Sequence, residues 1–362
     1  MDNSKEMRNW LDAFKLDHPL VIAGPCSAET EEQVLKIAHE LKDSDVSVFR
    51  AGIWKPRTRP GEFEGVGAIG LPWLKKVKAE TGLPVTTEVA NTQHVFEALK
   101  AGVDVLWIGA RTTVNPFSVQ EVADALKGVD IPVLIKNPVN PDLKLWIGAI
   151  ERVYNAGIRR IAAIQRGFSH HGESNYRNIP RWQIAIELKR LFPDLEIIVD
   201  NSHICGRRDT LLAVAQKGFD LNFDGLMTEV HPRPDEAWSD AAQQITPEVY
   251  GAELYNKLKF RLATTDNQEF RNNIDHLRHE IDEIDDELMN LYARRMKLAE
   301  GIGKFKKDNN IAILQTNRWN EILERGLALG TKKGLSEEFV ETTLKAIHQE
   351  SINHQEKVMQ GN

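Results

Sequence analysis

The stretch PVTTEVANTQHVFEALKAGVDVLWIGA, residues 84–110, reads as one complete β-α-β unit. PVTTEV and VLWIG are short β-rich runs, and between them Gln93 to Lys100 has the spacing of a helix with one apolar face. Strands joined through a crossover helix run parallel. The same alternation continues on both sides, upstream with LVIAG (20–24) and VSVFR (46–50), downstream with PVLIK (132–136), IRRIAAIQ (158–165), EIIVD (196–200) and GLMTEV (225–230). Helices are expected over Glu31–Lys42, Leu143–Asn155, Arg181–Phe192 and Thr210–Lys217. About eight βα units result, the number that closes an α/β TIM (β/α)8 barrel with right-handed crossovers.

A chain of 362 residues exceeds one ordinary core, and the pattern changes after Val249. The strand signal stops, and the polar segment RLATTDNQ (261–268) separates the barrel from charged helical sequence. Two domains are expected, a barrel over 1–262 and an all-helical domain over 263–362. In the second, Ile274, Leu277, Ile281, Ile284, Leu288, Leu291, Leu298, Ile302 and Phe305 step mostly by threes and fours, the stripe of one long amphipathic helix. A helix of about forty residues runs roughly 60 Å, more than a small domain can cover, so a partner chain is expected against it. Gly301 and Gly303 each cost about 1 kcal/mol relative to alanine, so its last turns are expected to bend or fray. Shorter helices follow near Asn317–Leu329 and Ser336–Val358.

The composition, 41% hydrophobic and 27% charged, is that of a soluble globular protein. A net charge of -7 offers no basic field for nucleic acid or an acidic membrane. Small anionic substrates would need local basic pockets. Two cysteines, Cys26 and Cys205, are too few for a disulfide framework and fit a reducing, cytoplasmic setting. The opening MDNSKEMRNWLDAFK is charged where a signal peptide would be apolar, and no run is long enough to span a bilayer.

Barrel enzymes place their chemistry where strands end. Here those ends are polar: Cys26 and Ser27, Arg50 with Lys55 and Arg57, Glu88, Arg111, Lys136, Arg166, Asp200 with His203, Glu229 with His231. Cations gathered on one rim of an acidic protein repel one another unless an anion sits among them, which points to phosphate or carboxylate substrates. Any single one of them could be an ordinary surface charge; the set is harder to dismiss. Cys26, His203, Glu229 and Asp240 offer one sulfur, one nitrogen and two carboxylate ligands, a set suited to Mn, Fe, Co or Zn. Each has a plainer reading as a core thiol, a loop donor or a solvated acid, and the residues alone leave both open. GVGAIG (65–70) fits a dinucleotide fingerprint with Glu88 at about the right distance, but the polar KPRTRPGEFE precedes it where a strand is required, so a flexible loop is expected.

The ordered segments AGPCS, FRAGIWKPRT, GART, KNP, QRG, DNSH and TEVHP resemble the type Iβ branch of the 3-deoxy-D-arabino-heptulosonate 7-phosphate (DAHP) synthases across nearly the whole first domain. That resemblance implies condensation of phosphoenolpyruvate with erythrose 4-phosphate on a divalent metal held by Cys26, His203, Glu229 and Asp240, with no organic cofactor. It implies that Arg50, Lys55, Arg111, Lys136 and Arg166 hold phosphoenolpyruvate, that Arg57, Thr58 and Thr112 hold the sugar phosphate, and that Asp200 sits near the sugar hydroxyls. Lys55, Glu88 and His203 are candidate proton donors. Asn201 stands where the family often has proline, a change that bears on loop geometry. The related octulosonate 8-phosphate synthases share the barrel, but they show a KANR-type segment where this chain reads Lys55-Pro56-Arg57-Thr58.

In the second domain the apolar stripe is interrupted by Arg295, and Ser351 and Gln355 continue the stripe of Val340, Leu344 and Ile347. A guanidinium inside a helical core needs a counter-ion or an anionic ligand. The pattern also fits a coiled coil specified by polar positions. LRHEIDEIDDELMNLYARRMKLAEGIGKFKK (277–307), RWNEILERG (318–326) and ESINHQ (350–355) resemble the all-α chorismate mutases. The resemblance implies that Arg278, Arg295, Lys306, Arg318, Ser351 and Gln355 bind chorismate and rearrange it to prephenate, with Arg278 supplied by the other subunit of a homodimer. Trp319 stands where the family often has a glutamate for the substrate hydroxyl, and Gln315 replaces a nearby acid. The alternative is a non-catalytic module that binds prephenate or chorismate and regulates the barrel.

Overall fold

The computed structural model describes residues 19–56 and 61–361. The chain forms two compact units that divide between Ala263 and Thr264.

The first unit is a closed barrel of parallel strands in sequential order: β1 (Leu20–Gly24), β2 (Val48–Arg50), β3 (Val85–Val89), β4 (Val105–Ile108), β5 (Val133–Lys136), β6 (Ile161–Gln165), β7 (Glu196–Asp200) and β8 (Gly225–Glu229). Closure is direct, with β1 paired to β8 from Leu20 opposite Gly225 through Gly24 opposite Glu229. Around it lie α1 (Glu31–Leu41), α2 (Leu71–Thr81), α3 (Thr92–Ala101), α4 (Pro116–Ala125), α5 (Leu143–Asn155), α6 (Trp182–Leu191) and α7 (Leu211–Asp220). Several start where the sequence supplies a side-chain cap: Thr30, Asn91 and Asp142 accept the backbone N–H of Gln33, His94 and Leu145.

The period of two along each strand sorts the core into layers. Leu20 and Ile22 join Val48, Val105, Trp107, Leu134, Ile164, Ile198 and Met227 in an inner cluster. Val21 and Ala23 instead join the cluster between strands and helices. Each aliphatic side chain so buried contributes roughly 1.5–3 kcal/mol, enough in sum to hold a polar rim rigidly.

The glycine run does not form a flexible loop. Gly65, at φ +93, approaches so close that an added Cβ would lie 2.2 Å from the Ile53 carbonyl oxygen. Lys55 N–H donates to Glu64 O at 2.9 Å and Gly67 N–H to Ile53 O at 2.8 Å. The run therefore braces the segment that carries Lys55.

The second unit contains α8 (Gln268–Asp308), α9 (Thr316–Lys332) and α10 (Glu337–Gln360). The expected bend at the glycines does not occur, and α8 continues unbroken through Gly301 and Gly303. Packing outweighs propensity there: Gly303 is buried, and a Cβ on it would sit 3.2 Å from the Gln355 Cα of α10. In the N-terminal half of α8 the described helices of this unit provide no such cover, and Leu277 and Ile281 are 54% and 55% exposed. Among the described residues, no helix is long and apolar enough to cross a membrane.

Candidate functional site

The carboxyl ends of the barrel strands build one continuous polar site. Arg50, which closes β2, donates from Nη2 to Glu229 Oε1 of β8 at 3.0 Å, with both side chains excluded from water. Lys136, closing β5, donates to Asp200 Oδ2 of β7 at 2.8 Å. Trp107 of β4 lies beneath both cations, its ring centroid 5.0 Å from the Arg50 guanidinium carbon and 5.8 Å from Lys136 Nζ. Desolvating paired charges is offset only by close geometry, and one-sided loss is costly. Burial opposes the charge on Asp200, yet His203 and Lys136 hold its carboxyl well below the usual carboxylate range. Burial pushes Arg166 down to about 10, which leaves it charged at neutral pH. Nε and Nη1 of Arg50 are buried without a protein partner, an arrangement suited to an anion.

Ligand atoms of Cys26, Glu229 and Asp240 lie within 4.8 Å of one another. Cys26 Sγ is 3.3 Å from Asp240 Oδ2, and Gln244 ties the two segments by accepting from Cys26 N–H at 3.0 Å while donating to Ser239 O at 2.8 Å. His203 stands outside this tight trio but beside it. Its Nδ1 is 3.0 Å from Asp200 Oδ1, and its Nε2 faces Glu229 Oε1 at 3.7 Å. Burial lowers its pKa while Asp200 opposes that shift, and with Nδ1 engaged by Asp200 it is Nε2 that faces Glu229 as a possible ligand atom. Burial, with Glu229 next in weight, pushes the Cys26 thiol up to about 12. A divalent cation among these donors would reverse that tendency, since coordination deprotonates a thiol. The donor spacing and chemistry therefore fit a transition metal.

A pocket opens beside the cluster, lined by Lys55, Glu88, Arg111, Lys136, Arg166 and Arg177 among others. Lys55 Nζ donates to Cys26 O at 3.1 Å and to its Sγ at 3.0 Å. Arg50 and Asp200 lie beneath this pocket and do not line it, because their side chains are committed to Glu229 and to Lys136 and His203. Thr112 is buried in the single helical turn Ala110–Thr113. Arg57 and Thr58 lie outside the described residues. Glu88 takes the Trp107 indole N–H at 3.0 Å, and Gly109 gives it room, since a Cβ there would lie 2.0 Å from Glu88 Oε1. Sequence reasoning missed Trp107, Asn178 and Arg177. Asn178 accepts from Arg166 Nη1 at 2.7 Å, and Arg177 donates to Asp240 Oδ1 at 2.8 Å. Both come from the loop SHHGESNYRN (169–178), which has neither strand nor helix period to place them.

The helical unit has its own cavity of about 250 Å3, lined by Arg295, Lys306, Gln315, Arg318, Trp319, His348, Ser351 and Gln355 together with apolar residues. No acid lines it. Arg295 donates to Ser351 Oγ and to Ile347 O, so its charge has hydrogen-bond acceptors but no carboxylate, and burial lowers its pKa. Lys306 Nζ donates to Ile313 O, and Gln355 keeps a buried Oε1 without a partner. Trp319 stacks on His348 at 4.1 Å between centroids. Arg278 does not line this cavity; it is exposed near the start of α8, 3.4 Å from Asp275.

Residues 15–260 match the DAHP synthetase I family, and residues 277–356 match chorismate mutase type II. A phospho-2-dehydro-3-deoxyheptonate aldolase of Thermotoga maritima is 30% identical over 239 residues, covering 66% of this chain and 68% of that protein. A 2-dehydro-3-deoxyphosphooctonate aldolase of Desulfatibacillum aliphaticivorans is 31% identical over 270 residues, covering 68% of this chain and 93% of that protein. The crystal structure of Thermotoga maritima phospho-2-dehydro-3-deoxyheptonate aldolase (DAHP synthase) superposes with a TM-score of 0.58 at 30% identity, over 64% of this chain and 66% of that one. A truncated form of 3-deoxy-D-arabino-heptulosonate 7-phosphate synthase from the same organism gives 0.56 at 28% identity, over 65% and 83%.

Proposed function

We propose, because this chain belongs to the DAHP synthetase I family, that its barrel condenses phosphoenolpyruvate with erythrose 4-phosphate to DAHP and phosphate. The chain joins a DAHP synthase domain to a chorismate mutase domain and is a bifunctional enzyme of the shikimate pathway. The observation that carries the barrel reading is the Cys26, Glu229 and Asp240 trio opening beside a pocket walled by Lys136, Arg166 and Arg111.

In this reading the pocket cations Arg111, Lys136 and Arg166 hold the phosphate and carboxylate of phosphoenolpyruvate, while Arg50, outside the lining, holds Glu229 in place. Fixing both anionic ends aims C3 at the aldehyde carbon and supplies much of the rate by positioning. A divalent cation held by Cys26, Glu229, Asp240 and His203 would polarise the aldehyde oxygen. The new carbon–carbon bond leaves an alkoxide that takes a proton, water adds at C2, and phosphate departs. Of the candidate proton donors, Lys55 and Glu88 line the pocket with no role as ligands, whereas His203 has Nδ1 engaged by Asp200 and Nε2 turned to the cation in this reading. Asp200 acts indirectly, by orienting Lys136 and the His203 ring. The matched heptonate and octonate aldolases differ in name by one carbon, so the sugar decides between them. Arg57 and Thr58, in a proline-containing KPRT segment, favour the four-carbon aldehyde. Offering phosphoenolpyruvate with erythrose 4-phosphate or arabinose 5-phosphate tests this: DAHP should form from the first, and preferential turnover of the second would refute the assignment.

For the helical unit, Arg295 and Arg318 hold the carboxylates of chorismate, while Lys306 and Gln355 donate to the ether oxygen as it gains charge in the rearrangement. Ser351 orients Arg295. The exposed stripe of Leu277, Ile281, Ile284 and Leu288 on α8 supports a homodimer in which the partner supplies Arg278. One observation favours a second reading. With Trp319 stacked on His348 and no acid in the wall, the cavity lacks a carboxylate for the substrate hydroxyl, which suits a prephenate-binding module that feeds back on the barrel. Chorismate turnover by the full chain separates the two, and prephenate inhibition of DAHP formation tests the control.

A further inference from the structure

Asp240 carries more strain than the other cluster residues. Its φ of 49° and ψ of 38° place a non-glycine residue in the left-handed region, a conformation that persists only where its surroundings enforce it. Its side chain is held from two sides, by Cys26 at Oδ2 and by Arg177 at Oδ1. Arg177 Nη1 donates both to Asp240 Oδ1 and to Gln243 Oε1, each at 2.8 Å, and Gln243 Nε2 donates onward to Glu229 Oε2 at 2.6 Å. The guanidinium thus holds one acid of the trio directly and reaches a second through Gln243. It occupies Oδ1 of Asp240 and leaves Oδ2 as the oxygen facing Cys26 Sγ.

The backbone around Arg177 reaches the remaining ligand. Arg177 N–H donates to Cys205 O at 3.2 Å, and Asn178 Nδ2 donates to His203 O at 2.6 Å, so residues 177 and 178 grip the helical turn that carries His203. Gly206, at φ +66, makes this approach possible, because a Cβ there would meet the Arg177 Cβ at 2.4 Å. Asn178 also holds Arg166 of the anion pocket.

We propose that Arg177 is a positioning residue for the Cys26, His203, Glu229 and Asp240 cluster, fixing Asp240 as a ligand through one oxygen. This rests on the reading of that cluster as a cation site. The sign of the effect separates positioning from mere proximity. A positive charge beside a metal repels it, so a purely electrostatic neighbour would tighten metal binding when removed. A positioning residue would weaken it when removed, by the ~10–100-fold typical of groups that orient metal ligands.

The test uses the full chain, stripped with a chelator and titrated with Co2+ alone, following the visible absorption of the ion and the thiolate-to-cobalt band. Wild-type protein should show both, and their absence would overturn the cation-site reading itself. Arg177→Met should weaken Co2+ binding about 10-fold or more and alter the visible spectrum. Arg177→Lys, which can still donate to Oδ1, should recover most of the affinity. Unchanged or tighter binding in Arg177→Met, with a wild-type spectrum, would overturn the positioning role. If Arg177→Met does not fold, Arg177→Gln decides, being uncharged and shorter than the guanidinium that reaches Oδ1: weaker Co2+ binding with a shifted spectrum supports the role, and wild-type or tighter binding with a wild-type spectrum refutes it.

Discussion

The barrel mouth and the helical cavity both gather cations for small anions, but they balance that charge in opposite ways. In the barrel, Arg50 and Lys136 are enclosed and each meets a carboxylate of the same unit, Glu229 and Asp200. In the helical unit, Arg295 rests on a serine and a carbonyl, Arg318 is paired outside the cavity with Glu321, and no acid lines the wall. The first site is organised before any ligand arrives, so its residues serve stability and chemistry together. The second has no carboxylate of its own among the described lining residues, and the N-terminal half of α8 carries exposed apolar residues. Preorganisation therefore shows up as sensitivity to unfolding in one region and as sensitivity to ligand charge in the other.

Mutations should separate the two regimes. The largest effect is expected for Arg50→Met, which strands Glu229 without its buried counter-ion; loss of one partner of such a pair costs about 3–5 kcal/mol, read as a lower urea midpoint for the barrel transition. Arg295→Ala should lower the rate of chorismate rearrangement about 10²–10³-fold, the loss typical of one transition-state donor, while DAHP formation stays intact. A large loss of fold stability in that variant would erase the contrast. Gly303→Ala should leave the helical unit less stable than Gly301→Ala does, because its Cβ lies 3.2 Å from the Gln355 Cα and α10 must shift slightly to admit it. Gly301→Ala, two residues earlier, meets open space and should stabilise α8 by up to about 1 kcal/mol. Thermal unfolding of this pair measures packing against propensity on one helix.

The barrel was legible because short β-rich runs such as LVIAG and VLWIG recur between segments of helical spacing, and the residues that end each run included Arg50, Lys136, Asp200 and Glu229, which the structure brings to one rim. Periodicity failed where position is set by contacts between loops. Arg177 and Asn178 sit in a polar loop with no repeat, and Gln243 follows β8 in a segment of short turns. Their roles depend on meeting Asp240, Arg166 and Glu229, which are distant along the chain or on another turn. Composition also misled in both directions. Gly65 and Gly303 look like weak points, yet a Cβ on Gly65 would lie 2.2 Å from the Ile53 carbonyl oxygen, and Gly303 lets α10 pack tightly against α8. Trp107 reads as ordinary strand core, and only its place under two cations reveals what it supports.

The most direct test of the contrast is a single chelation experiment on the full chain, assaying both reactions in one sample before treatment, after it, and after restoring Mn, Fe, Co or Zn separately. The account predicts that consumption of phosphoenolpyruvate with erythrose 4-phosphate disappears and returns with metal, while conversion of chorismate to prephenate continues unchanged throughout. Persistence of the condensation in thoroughly stripped protein would contradict it.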